Sequence, residues 1–138
     1  MKHAGLIWNE SQHGIGITSL DEQHRQIVEQ VNRVISAIED GASSEVMHEL
    51  MDGLVLLARQ HFGFEERLMS EYGFPGLEGH AREHLGLLQK LDMFNETLFF
   101  SDPHRLKLIL AFVTDWAELH LLKGEKVLGE YLASKGLS

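Results

Sequence analysis

The stretch 61–84 constrains this chain most. It carries His61-Phe62-Gly63-Phe64-Glu65 and, further on, His80-Ala81-Arg82-Glu83-His84, two i, i+4 pairs separated by Tyr72-Gly73-Phe74-Pro75-Gly76. On an α-helix, side chains four residues apart stack on one face, so each pair can grip a common object. Two glycines and a proline between the pairs end one helix and turn the chain back antiparallel, which sets the pairs face to face.

The rest of the chain supplies rods to complete such a hairpin. Ser19-Leu20-Asp21-Glu22 reads as a capping box that opens a helix, with the stripe Leu20, His24, Ile27, Val31, Val34 and Ile38 ending at Gly41. A second helix starts near Ser43 or Ser44 and presents Met47, Leu50, Leu54, Leu57, His61, Glu65 and Leu68 before Gly73. The third begins near Leu77 and shows Leu77, His80, His84, Leu87, Leu91, Phe94 and Leu98. Asp102-Pro103 is an N-cap followed by proline at the first helical position. The fourth helix carries Leu106, Ile109, Val113, Trp116 and His120, with Leu121, Glu125, Leu128 and Leu132 on the adjoining stripe, and stops at Gly136. The expectation is all-α: an antiparallel up-down-up-down four-helix bundle over residues 19–136, preceded by an irregular N-terminal arm, residues 1–18, anchored by Trp8. Glycines inside predicted helices, Gly53, Gly63, Gly86 and Gly124, each cost about 1 kcal/mol relative to alanine and suggest bends or close packing.

With 138 residues a single domain is expected, with function inside it. A formal charge of -9 argues against nucleic acid and anionic membranes as partners. No cysteine is present, which excludes disulfides, thiolate metal sites and cysteine nucleophiles. The opening residues have too short an apolar run for an export signal, and no run reaches membrane-spanning length, so the cytoplasm is the expected compartment.

Counting from helix ends places His24, Glu65, His80, His84, His120 and Glu125 at one pole, together with His61 one turn below Glu65. A lone histidine on an apolar stripe is more often a hydrogen-bonded core residue than a ligand. Seven such groups are different, because each left unsatisfied would cost about 1 to 3 kcal/mol and carboxylates more. Ligation of metal satisfies them together. Imidazole and carboxylate without thiolate suit iron, manganese or zinc. Seven donors exceed a tetrahedral zinc site, so two metals sharing carboxylates is the better fit. His120 and Glu125 are five apart, rotated by about 140° on a helix, so Glu125 would reach sideways across the axis. His3, His13, His48 and His104 read as solvated, and Glu45-x-x-His48 stands alone at the opposite pole.

These motifs resemble those of the bacterial hemerythrins (bacteriohemerythrins), over nearly the full length. Leu20-Asp21-Glu22-Gln23-His24 resembles the family's first-histidine motif, His61 to Glu65 its His-x-x-x-Glu, His80 to His84 its His-x-x-x-His, and Trp116 with His120 its Trp-x-x-x-His. The resemblance implies two iron ions with an oxo or hydroxo bridge, one held by His24 and His61, the other by His80, His84 and His120, with Glu65 bridging. It implies reversible dioxygen binding at the two-histidine iron, for storage, delivery or scavenging, rather than catalysis. Phe62, Trp116, Ala117 and Leu121 resemble the pocket-lining positions. The departure lies at the seventh ligand, where Glu125 stands in place of the usual Asp. The longer side chain raises two alternatives: a sensor of oxygen, nitric oxide or redox state acting through a partner protein, and a di-iron peroxidase or nitric oxide reductase.

Overall fold

The computed structural model describes residues 14–95, 102–118 and 125–138. Among them are five helices and no strand: α1 (Thr18–Glu39), α2 (Ser44–Glu71), α3 (Leu77–Phe94), α4 (Pro103–Trp116) and α5 (Lys126–Ser134). The all-helical bundle expected from the periodicity is the observed fold. The span expected as a single fourth helix is described as two, α4 and α5. The N-terminal arm up to residue 13, including the Trp8 anchor, lies outside the described residues, as does the end of the third stripe at Leu98. No helix among the described residues is long and apolar enough to cross a membrane.

Local signals set most boundaries. Ser43 caps α2, its hydroxyl accepting from the Val46 amide at 3.2 Å. Asp102 caps α4 by accepting from the His104 amide at 2.9 Å, with Pro103 in the first turn. At the turn between α2 and α3 the Phe74 amide reaches back to the Met69 carbonyl at 2.8 Å and the Gly73 amide to Ser70 at 3.3 Å. That is a Schellman closure, and it requires the φ of +67° that Gly73 adopts. The start of α1 departs from expectation. Its N-cap is Ile17, without a side-chain cap bond, and Asp21 instead turns its carboxylate backward to accept from the amides of Ile15, at 2.8 Å, and Gly16, at 3.3 Å. Burial of Ile17 and Leu20 with no exposed surface outweighs the Ser19 capping signal, because the helix begins where the apolar residues must enter the core.

α1 packs along α2, α2 along α3, and α4 along α1. The buried line of α2 is Met47, Met51, Leu54, Ala58, His61, Phe62, Glu65 and Met69. Leu50, Leu57 and Leu68, expected on the stripe, sit half-buried at its shoulder. Of the helix glycines described, Gly53 faces Gln30 closely, whereas Gly63 and Gly86 face open space. The tightest approach is at Gly129, which the sequence did not single out: a Cβ there would lie 2.6 Å from the Ile15 Cβ and 2.7 Å from its carbonyl oxygen.

The apolar interior is divided in two. A large cluster runs through Ile27, Val31, Leu54, Phe62, Leu91, Val113 and Trp116, and a smaller one joins Ile17, Leu20, Met69, Leu128 and Leu132. Along α1, α2 and α3 the polar residues His24, His61, Glu65, His80 and His84 fall at the boundary between these clusters, and Glu125 falls between Trp116 of the first and Leu128 of the second. A polar layer thus has hydrocarbon above and below it.

Candidate metal centre

Every predicted metal ligand within the described chain reaches that layer. His24, His61, Glu65, His84 and Glu125 are buried, and His80 is partly exposed. α1 delivers His24, α2 delivers His61 and Glu65 one turn apart, and α3 delivers His80 and His84 from its first two turns. Glu125 enters from the N-cap of α5, with φ −94° and ψ −3°. The longer carboxylate therefore comes from a turn rather than from a helix body. His120 and Leu121 lie outside the described residues.

The donor atoms sort into two groups, each drawn within 4.8 Å: His24, His61, Glu65 and Glu125, and Glu65, His80, His84 and Glu125. Both carboxylates belong to both groups. Glu65 turns Oε2 toward His61 Nε2 at 3.2 Å and Oε1 toward His80 Nε2 at 2.7 Å and His84 Nε2 at 3.1 Å. Glu125 Oε2 lies 3.8 Å from His80 Nε2. Nε2 of His24 and of His61 are only 3.1 Å apart.

Electrostatics follow from this crowding. Burial pushes the Glu65 carboxyl up, but hydrogen bonds from His61, then His80 and His84, outweigh it and hold it well below its ordinary value. Burial acts downward on His80, yet Glu125 and then Glu65 beside its Nε2 raise it from 6.5 to about 10. Without a metal, a proton on His80 offsets only part of the charge of two buried carboxylates. A cation placed among the same atoms would do so with more charge and more bonds.

Two residues to which the sequence reading gave no role complete the site. His61 Nδ1 donates to Gln23 Oε1 at 2.8 Å, and His84 Nδ1 donates to Glu66 Oε2 at 2.9 Å. With Nδ1 engaged outward, each imidazole is turned so that Nε2 faces the centre, where it would be available to a cation. Gln23 is the chain neighbour of His24 but supports His61 on α2; Glu66 is the neighbour of Glu65 but supports His84 on α3. Their only sequence signal is a polar residue beside a ligand, about 100° around the helix, where it faces the adjacent rod.

Phe62 packs between the two groups. It stacks on the His84 ring at 3.9 Å and 3°, lies 5.7 Å from His61, and meets Trp116 edge-on at 6.2 Å. Ala117 is fully buried. His48, read as solvated, is half-buried, with Nδ1 3.0 Å from Asn95 Oδ1.

Nitrogen and oxygen donors in two groups that share two carboxylates define a class: helical-bundle proteins with a buried histidine–carboxylate metal site. The family description "Hemerythrin HHE cation binding domain" matches residues 15–132, and the chain belongs to this family. A bacteriohemerythrin of Methylococcus capsulatus is 29% identical over 135 residues, covering 94% of this chain and 98% of that protein. The bacteriohemerythrin of Stenotrophomonas maltophilia is 37% identical over 79 residues, covering 57% of this chain and 50% of its own length. The match thus spans about half of the latter relative. A wild-type hemerythrin crystal structure superposes with a TM-score of 0.77 at 23% identity, covering 93% of this chain and 98% of that one; at that identity it supports the fold.

Proposed function

We propose that this protein binds dioxygen reversibly at a pair of iron ions, for oxygen storage, delivery or scavenging. The observation that carries this reading is the sharing of Glu65 and Glu125 by two histidine groups, which suits two bridged ions better than one. His24 and His61 would hold one iron and His80, His84 and His120 the other, with Glu65 and Glu125 between them. When bound, an iron pair supplies electrons and an open coordination position for a diatomic ligand.

The chain's own residues set the conditions. Gln23 and Glu66 hold the imidazoles of His61 and His84 with Nε2 inward. Phe62, Trp116 and Ala117, all buried, with Leu121, are proposed to wall the ligand side and to keep water from the oxidised centre. The lower cap of Leu20, Met69 and Leu128 closes the pole. Four imidazoles among the described donors, with His120 as the proposed fifth, favour reversible binding over the high-valent chemistry of carboxylate-rich oxidising sites.

The test is to load the protein with ferrous iron without air, admit oxygen, then remove it while following iron content and the visible charge-transfer bands. Two irons per chain and a band that appears and reverses support the carrier role. An irreversible change overturns it and favours the sensor of oxygen, nitric oxide or redox state, or the peroxidase or nitric oxide reductase. Steady turnover of peroxide or nitric oxide separates the last two from the sensor.

A further inference from the structure

The polar layer has hydrocarbon on both faces, the larger apolar cluster on one side and Leu20, Met69 and Leu128 on the other. A dication crossing either would shed its water for nothing in return, so it must enter where polar groups run from solvent to the layer. The seam between α2 and α3 offers such a line. Glu66 on α2 and Ala81, Arg82, His84, Leu85 and Leu88 on α3 line a cavity of about 420 Å³ that opens to solvent. His84 stands at its inner end. The His84 side chain is 1% exposed, and that of Glu66 35%. Nδ1 of the ring lies 2.9 Å from Glu66 Oε2, and Nε2 lies 3.1 Å from Glu65 Oε1. Glu65 itself is fully buried. One imidazole therefore separates a carboxylate that water reaches from a carboxylate that it does not.

Resting on the di-iron reading above, we infer that this cavity is the entry site for ferrous ion, with Glu66 as the first oxygen ligand and His84 as the gate that passes the ion to Glu65. Carboxylate oxygen followed by imidazole nitrogen is a donor sequence that suits ferrous ion. A carboxylate in a cavity walled by Ala81, Leu85 and Leu88 also focuses the attraction of an acidic surface on one point. Arg82, on the rim of the same cavity, works against it, so the two charges set the capture rate with opposite signs. Entry is ligand exchange with no change in oxidation state: water leaves as Glu66, and then the inner donors, bind.

The experiment follows uptake of ferrous ion by the full, chelator-stripped chain under nitrogen, with unbound ion read by a coloured ferrous chelator in quenched samples. Glu66→Gln lowers the initial rate about 10-fold, at the low end of what charge focusing in a cleft contributes, and flattens its dependence on salt. Glu66→Asp keeps most of the rate, and Arg82→Gln raises it. Leu85→Lys at the cavity rim lowers the rate, whereas Leu108→Lys on α4, where the leucine is equally exposed at 57%, leaves it near the unaltered value. A Glu66→Gln protein that takes up iron at the unaltered rate and only releases it faster overturns the inference, because Glu66 then merely supports His84. Equal slowing by the two lysines also overturns it, since that reports the charge of the whole surface. Both results leave the di-iron reading intact. A single ion per chain, taken up at a rate that depends on Glu66, overturns the di-iron reading and supports the entry route.

Discussion

Glu65 and Glu125 approach the same layer from opposite kinds of backbone, one from the body of α2 and the other from the turn before α5, and both belong to each of the two histidine groups. In the proposed two-iron site, shared donors would make the two metal positions depend on each other. Glu65→Ala is therefore expected to reduce iron from two per chain to below one, measured by metal analysis after gel filtration. Glu125→Asp keeps the charge but loses one methylene of reach. It is expected to retain Glu65-dependent binding while changing the rate of autoxidation, followed by loss of the oxygenated band. An identical rate would show that the longer side chain has no bearing on the site.

The metal-free protein should depend on pH in a defined direction. His80 is raised to about 10 from 6.5, so its contribution is fully present below pH 6.5 and is lost as pH rises through 10. Glu65 is held below its ordinary 4.5, so its contribution is present above that value and is lost as pH falls beneath it. Thermal melts of the chelator-treated protein should thus show falling stability between pH 7 and 10. Iron addition should abolish most of that slope, because the cation takes the place of the His80 proton.

Two glycines predict opposite signs. Gly86 sits inside α3 facing open space, and Gly86→Ala should stabilise by about 1 kcal/mol through helix propensity. Gly129 lies against the Ile15 backbone, and Gly129→Ala should destabilise by about 1–3 kcal/mol, because the chain before α1 must move away. Urea midpoints at unchanged slope distinguish the two.

Tyr131 ties α5 to the turn between α2 and α3, its hydroxyl lying 2.8 Å from the Tyr72 carbonyl and 3.0 Å from that of Gly73. Its ring meets Phe74 edge-on at 5.1 Å. Tyr131→Phe keeps the ring and loses the hydroxyl. A loss of about 1 kcal/mol is expected from the urea midpoint, with faster amide exchange at the turn and a raised rate of iron release.

The chain's spacing determined the helices and most of their ligands. His61 with Glu65, and His80 with His84, come close enough on one face to hold one object only on a helix, and Gly73 with Pro75 favours a turn between them, so those residues were readable before any coordinates. Ser43 and Asp102 were readable for the same reason, since a cap is a local bond. What depended on neighbouring rods was not. Ile17 rather than Ser19 begins α1 because burial outweighs a cap. Met51 and Ala58 rather than Leu50 and Leu57 face inward because the packed partners choose which edge of a broad apolar stripe is covered. Gln23 and Glu66 act on helices other than their own, and Gly129 is needed because of Ile15, a residue remote in sequence. Periodicity reports the face of one helix; the neighbour that meets it, and hence the cavity that Glu66 and His84 share, exists only once the rods are assembled.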